Sequence, residues 1–173
     1  LNVPHAVDPA PDPRRALMRI SARADYAVRA ALMLAAAPQG ELVSSESIAT
    51  AEEIPASFLE GILTSLRRAG IAESRRGANG GFRLARSADA VSVADVVRAV
   101  DGPLVFVRDS RPSDLRYTGA STGLLDVWVA LRASVRSVLE ETTLASVVSG
   151  GLPPHVRELA DDPSAWQSPE PRG

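Results

Sequence analysis

The sequence predicts a mainly α-helical fold with one short β-hairpin and one long helix towards its C-terminal end. Three observations predict it. Three segments between Ser21 and Gly70 place apolar residues at helical spacing behind cap or breaker residues. Two short extended pieces then flank the run Gly77-Ala-Asn-Gly-Gly81. Further on, Leu124, Trp128, Leu131, Val135 and Val138 repeat at intervals of 4, 3, 4 and 3, the period of a helical seam.

In chain order, Leu1–Leu17 holds Pro4, Pro9, Pro11 and Pro13 without apolar periodicity and is expected to be a disordered extension, with Met18 a candidate translation start. Ser21 is placed to cap a helix from about Ala22 to Ala37, its hydroxyl accepting an N–H that the first turn leaves unpaired. Tyr26, Ala27, Ala30, Ala31, Met33 and Leu34 make that helix apolar nearly all round, so it is expected to be buried on more than one side. Pro38-Gln-Gly40 ends it. A short second helix covers about Ser45–Ala51, and Ile54-Pro55 sets up a third over about Ala56–Arg68. There Leu59, Ile62, Leu63 and Leu66 form one core stripe, opposite Ser57, Glu60, Gly61, Thr64, Arg67 and Arg68. Ala69-Gly70 supplies a glycine stop.

The extended pieces Ile71–Arg76 and Phe82–Ala85 form the hairpin, its tip using glycine and asparagine for positive φ. Ser92 caps a fourth helix, about Val93–Val100, stopped by Asp101-Gly102-Pro103. Residues 104–121 read as a loop, long enough to point to a functional role. A long helix follows over about Thr122–Glu141, with a final turn at Thr142–Val148. The tail beyond Gly150, with Pro153, Pro154, Pro163, Pro169 and Pro171, is expected to be disordered. The order helix, helix, helix, hairpin is that of a winged helix-turn-helix. It predicts a winged-helix domain at 18–102, a sensor-type loop at 103–121, a dimerisation helix region at 122–148 and a tail at 149–173. A terminal helix of this length has little domain left to pack against, so Leu124, Trp128, Leu131, Val135 and Val138 are expected to form a homodimer contact.

Composition narrows the chemistry. The 173 residues include no cysteine, which removes disulfides, thiolate zinc sites, cysteine nucleophiles and ordinary iron–sulfur ligation together. The two histidines, His5 and His155, lie outside the periodic segments, so neither a metal nor a cofactor is predicted. No phosphate-binding glycine loop follows a strand and no nucleophile–base pair is legible, so an enzyme is not predicted. No apolar run approaches the roughly 18–20 residues that span a bilayer, so the expected setting is cytoplasmic, with the nucleoid and without membrane.

The net charge of −2 conceals an asymmetry, because every basic residue is arginine. From Arg14 to Arg86 there are 11 Arg against 7 acidic residues, and from Ser87 to Gly173 8 against 12. Six Arg and one Glu fall within Arg67–Arg86. Such a split marks a polyanion-facing half. A helix fits the major groove of DNA and reads it from its N-terminal turns, where Ser57 and Glu60 sit; Glu60 suits a cytosine amino group, or simply the positive end of the helix dipole. Arg75, Arg76 and Arg83 flank the hairpin tip, where arginines reach phosphate or the minor groove.

The motifs in register resemble one family. They are Met18-Arg-Ile-Ser21, Asp25-Tyr-Ala27, Ser47-Ile-Ala49, Ile54-Pro55, Phe58-Leu59-Glu60, Ile62-Leu63 and Leu66-Arg-Arg-Ala-Gly70. Ser74-Arg-Arg-Gly77, Gly80-Gly81-Phe82, Leu84-Ala85, Asp95-Val96, Ala99-Val-Asp-Gly-Pro103 and Thr143-Leu144 continue the series to about Val148. Together they resemble the Rrf-two family of bacterial winged-helix transcription regulators, some of which carry an iron–sulfur cluster. The resemblance implies DNA contacts from Ser57, Phe58, Glu60 and Gly61, from Arg76 at the wing, and from Ser21 and Arg23. Arg75, Asn79 and Gly80 complete the candidate DNA-binding set at the hairpin. Phe58 stands where the family commonly has tyrosine and Gly61 where glutamine is common. Cluster-bearing members place three cysteines after the position of Pro103; Leu104 to Gly123 holds none, which implies a cysteine-free member without a cluster. The expected function is a dimeric regulator, a repressor on an inverted-repeat operator in double-stranded DNA, answering a small-molecule effector or a partner protein. A winged-helix protein-interaction module is the alternative.

Overall fold

A computed structural model of the chain describes residues 20–77, 79–104 and 114–167. The extension at 1–17, Met18, His5 and the stretch 105–113 of the expected loop lie outside these residues. The element order is α1 (Ala22–Ala36), α2 (Ser45–Ala51), α3 (Ala56–Arg68), β1 (Ala72–Arg75), β2 (Gly81–Leu84), α4 (Val93–Asp101), α5 (Leu124–Glu141), α6 (Leu144–Ser149) and α7 (Pro154–Asp161).

α1 is the central post. Its alanines at positions 24, 27, 30 and 31 are fully buried, and their small size lets α3, α4, α6 and β2 all pack against one helix. Ile48, Ile54, Leu59, Ile62, Leu63 and Leu66 from α2–α3 join Ile71, Val91, Val96 and Leu144 in one core around it. Burial of such a core is the main term holding the fold, at about 25 cal/mol per Å² of apolar surface removed from water.

The caps are those the sequence chemistry demands. Ser21 accepts from the Ala24 N–H at 2.9 Å, Ser44 from Ser47 at 3.0 Å, and Thr143 from Ser146 at 3.1 Å. Ser92 and Asp95 form a reciprocal capping box on α4, each bond 3.1 Å. α3 ends in a Schellman motif: Gly70, at φ 66°, donates to the Arg67 carbonyl and Ile71 to that of Leu66.

β1 and β2 are antiparallel, with Ala72 opposite Leu84, Glu73 opposite Arg83, Ser74 opposite Phe82 and Arg75 opposite Gly81. Ala72, Phe82 and Leu84 therefore share the face that packs on the core, while Glu73, Arg75 and Arg83 share the other. Val43 forms a one-residue bridge on the far edge of β2, exchanging both backbone bonds with Phe82 at 2.8 Å. At that crossing a Cβ on Gly81 would lie 2.7 Å from the Val43 carbonyl oxygen, so glycine is required.

Three expectations need correction. The tail past Gly150 is not without structure: Pro154 occupies the first turn of α7, where a missing N–H costs nothing, and a 3₁₀ turn over Pro163–Trp166 follows. The proline content signalled a helix start rather than disorder. Asn79 does not take positive φ at the hairpin tip; Gly77 does, at 112°, and among the described residues the one non-glycine with positive φ is Glu53, at 51°. Leu144, assigned by position to the dimerisation region, is fully buried in the winged-helix core.

Candidate nucleic-acid interface

The interface is built around α3, and α1 positions it through three links. Arg29 of α1 donates through Nε to Glu52 Oε2 at 3.0 Å, through Nη2 to the Glu52 carbonyl, and through Nη1 to Asp25 at 3.5 Å. The hydrogen bond to Glu52 holds the guanidinium above its ordinary pKa, against a smaller opposing effect of burial, with Asp25 adding to it. Because Glu52 caps α2 and Glu53 takes the left-handed turn, this clamp fixes the bend of the helix-turn-helix. The second link is aromatic: Tyr26 meets Phe58 edge-to-face, centroids 5.9 Å apart. The third joins Arg23 to α3, its Nη2 donating to Ser65 Oγ at 3.0 Å, while Ser65 Oγ donates to the Gly61 carbonyl at 3.0 Å.

So held, α3 turns Ser57, Phe58, Glu60 and Gly61 to solvent, with Phe58 49% exposed. Arg67 and Arg68 are exposed at its other end. Glu60, Thr64 and Arg67 line one groove with Thr50 of α2 and Phe82 of β2, of about 610 Å³, so the polar face of α3 and the hairpin border a common surface.

On the hairpin the register separates arginines that the sequence treats alike. Arg83 is paired across the strands with Glu73 at 2.6 Å. The side chains of Arg75 and Arg76 are exposed and make no hydrogen bond or ion pair among the described residues. Asn79 is exposed at the tip. Gly80 closes the turn by donating to the Gly77 carbonyl at 2.9 Å, and a Cβ there would meet the Arg75 carbonyl oxygen at 2.4 Å, so its role is to permit the turn.

Ser21 stands apart from this group. Its hydroxyl caps α1 and donates to the Asp101 carboxylate at 2.5 Å, tying α1 to α4. Sequence reading missed Arg29, Glu52, Tyr26 and Ser65. The i, i+4 spacing of Asp25 and Arg29 was a visible signal for the clamp, whereas the pairing of Arg23 with Ser65 spans 42 residues and left none.

The proposed seam lies on α5, where no residue is buried. Leu124, Trp128, Leu131, Val135 and Val138 are all half-buried, and Val127 and Val129 are 55% and 47% exposed. Trp128 Nε1 donates to the Tyr117 hydroxyl at 3.2 Å. At the far end Glu140 accepts from Arg136 at 2.9 Å and from Arg98 of α4. These two bonds, that from Arg136 the larger, hold its pKa down from 4.5 to about 2.

The profile of one protein family, described as Rrf2, iron-dependent transcriptional regulator, matches residues 20–150. The chain belongs to the Rrf2 (Rrf-two) family. The Mycobacterium tuberculosis protein Rv1287, named for the HTH-type transcriptional regulators, is 54% identical over 151 residues, covering 87% of this chain and 94% of the relative. Among Rrf2-like solved structures, CymR, the global cysteine regulator of Bacillus subtilis, superposes with a TM-score of 0.67 at 28% identity, over 78% of this chain and 98% of its own. IscR of T. potens gives a TM-score of 0.62 at 30% identity, over 76% of this chain and 87% of its own. This Rrf2 protein is thus a DNA-binding transcription regulator with a winged-helix fold, in a family of regulators rather than enzymes.

The family description carries iron, and the donor set here does not fit a thiolate-bound cluster. The whole chain has no cysteine. Among the described residues no three of His, Cys, Asp and Glu gather where they would hold a metal ion. His155 lies 3.3 Å from the Ser137 carbonyl and 3.7 Å from Glu141, docking α7 on α5. No helix among the described residues is long and apolar enough to cross a membrane.

Proposed function

We propose that this Rrf2 protein is a homodimeric repressor that binds an inverted-repeat operator and answers a signal other than a cysteine-bound iron–sulfur cluster. The observation that carries the reading is the groove that the polar face of α3 shares with the hairpin strand β2, on a hairpin whose Arg75 and Arg76 side chains are exposed and unpaired among the described residues. Ser57, Phe58, Glu60 and Gly61 face the base edges, with Arg75, Arg76 and Asn79 on the flanking backbone or minor groove. Arg23 stands beside them through Ser65. Ser21 contributes through the helix start it caps rather than through a free hydroxyl. Dimerisation uses the α5 seam, since a helix with no fully buried residue and this many incompletely covered apolar ones is covered most economically by its own symmetry copy. Segment 104–121 and α5 receive the signal, from a small-molecule effector or a partner protein, which acts by favouring one of two dimer geometries.

The test is fluorescence anisotropy with the gene's upstream DNA and a random duplex at physiological salt. A protected inverted repeat bound at least about a thousandfold more tightly than random DNA is expected; equal affinities would refute the reading. Protein purified without oxygen is expected to be colourless, and a bound iron–sulfur absorption band would overturn the cluster-free assignment.

A further inference from the structure

α3 carries a glycine that its fold does not require. Gly61 lies in the interior of the 13-residue helix and is exposed. Its φ is not positive, and a Cβ built on it meets no atom within 4 Å. Alanine would fit without strain, and interior glycine is among the worst helix formers because it frees the unfolded chain and leaves backbone bare. Folding alone therefore disfavours glycine at this position.

The surroundings define what fits. At 100° per residue, Phe58 and Ser65 flank Gly61 on one side of the helix surface, and Ser57 and Thr64 on the other. The Phe58 ring is half-exposed and pinned by Tyr26. The Gly61 carbonyl already accepts from Ser65 Oγ, which Arg23 holds in place. The surface at Gly61 is thus bare backbone with its carbonyl engaged, on the same side of the helix as the exposed Phe58 ring. On the side towards Phe58, a base-edge donor or acceptor over the Gly61 backbone loses its water and gains no partner from that backbone or the ring, whereas an apolar group loses nothing.

Resting on the DNA-binding reading of α3, we propose that Gly61 is the point of closest approach to the major groove, and that a thymine C5 methyl packs over its backbone against Phe58. The thymine methyl is the apolar group that the major groove presents. Gly61 and Phe58 then select thymine at one position of each half-site.

Operators are recovered by selection from random duplex DNA, and each thymine is replaced in turn by uracil, which removes only the methyl. For the wild-type protein one symmetric pair of positions is expected to weaken binding, by about fourfold for each methyl lost. Gly61→Ala is expected to melt at higher temperature and to bind the selected operator at least about tenfold more weakly. Uniform tolerance of uracil by the wild type, or undiminished operator binding by Gly61→Ala, overturns the proposal. If the wild type enriches no sequence at all, the DNA-binding reading itself fails, an outcome distinct from either of these.

Discussion

Replacing Arg76 by alanine tests which hairpin arginines face DNA, because the structure pairs Arg83 with a carboxylate and leaves Arg75 and Arg76 without one among the described residues. Arg75 and Arg76 have no counter-charge among the described residues, while Arg83 is neutralised by Glu73 at 2.6 Å. Each phosphate neutralised by an arginine contributes about −0.9 to the slope of log Kobs against log salt. A dimer that loses Arg76 from both protomers should therefore show a slope shallower by about 1.8. Between 50 and 200 mM salt, a fourfold change, the wild type then loses about tenfold more affinity than Arg76→Ala does. The paired positions behave differently. Glu73→Ala frees Arg83 and is expected to steepen the slope, whereas removing Glu73 and Arg83 together should leave it nearly unchanged. Anisotropy titrations at five or so salt concentrations measure all four proteins. Parallel lines for wild type and Arg76→Ala, or a shallower line for Glu73→Ala, would refute the assignment of the free and neutralised arginines.

Other expectations follow from the fold. Glu53 sits at φ 51° without the freedom of glycine, so Glu53→Gly should stabilise the protein by about 1 kcal/mol and raise Tm by about 2–4 °C in a thermal melt. Glu140 has a folded-state pKa near 2, below its ordinary 4.5, so its contribution to stability is present above pH 4.5 and is lost as the pH falls towards 2. Glu140→Gln should therefore be less stable at neutral pH and show a flatter loss of stability across that acid window in denaturant titrations. Leu131→Asp places a charge in the α5 seam and should sediment as a monomer with native far-ultraviolet circular dichroism; an unchanged dimer would move the interface elsewhere.

What was legible in the sequence was whatever local chemistry determines. The bounds of α2 and α3 follow from Ser44, Pro55 and Gly70, and the core stripe Leu59, Ile62, Leu63 and Leu66 is buried as its spacing requires. Both faces of α3, and so most of the candidate interface, could be assigned from periodicity. What was not legible depends on partners distant in the chain. The hairpin register, which neutralises Arg83 and leaves Arg76 free, is set by packing of Ala72, Phe82 and Leu84 and by the bridge to Val43. The bond between Ser21 and Asp101, 80 residues apart, leaves no trace in spacing, and it commits the hydroxyl proton to α4. α7 was hidden because the same prolines that start a helix also populate disordered tails.

The way α5 ends has a mechanical consequence. Thr142 accepts from the Val93 N–H at 2.9 Å, Leu144 donates to Val91 at 2.9 Å, Ser92 bridges Thr143, and Leu144 is buried beside α1. No flexible joint separates the long helix from the winged-helix core. The 18 residues of α5 make a rigid arm of about 27 Å, welded at one end to the body that carries α3. A tilt of about 5° at that weld moves the free end of the arm by about 2 Å. In the homodimer proposed above, a small change of angle at the seam would thus be converted into a change in the separation of the two α3 helices, and that separation would decide whether both half-sites of the proposed operator are met at once.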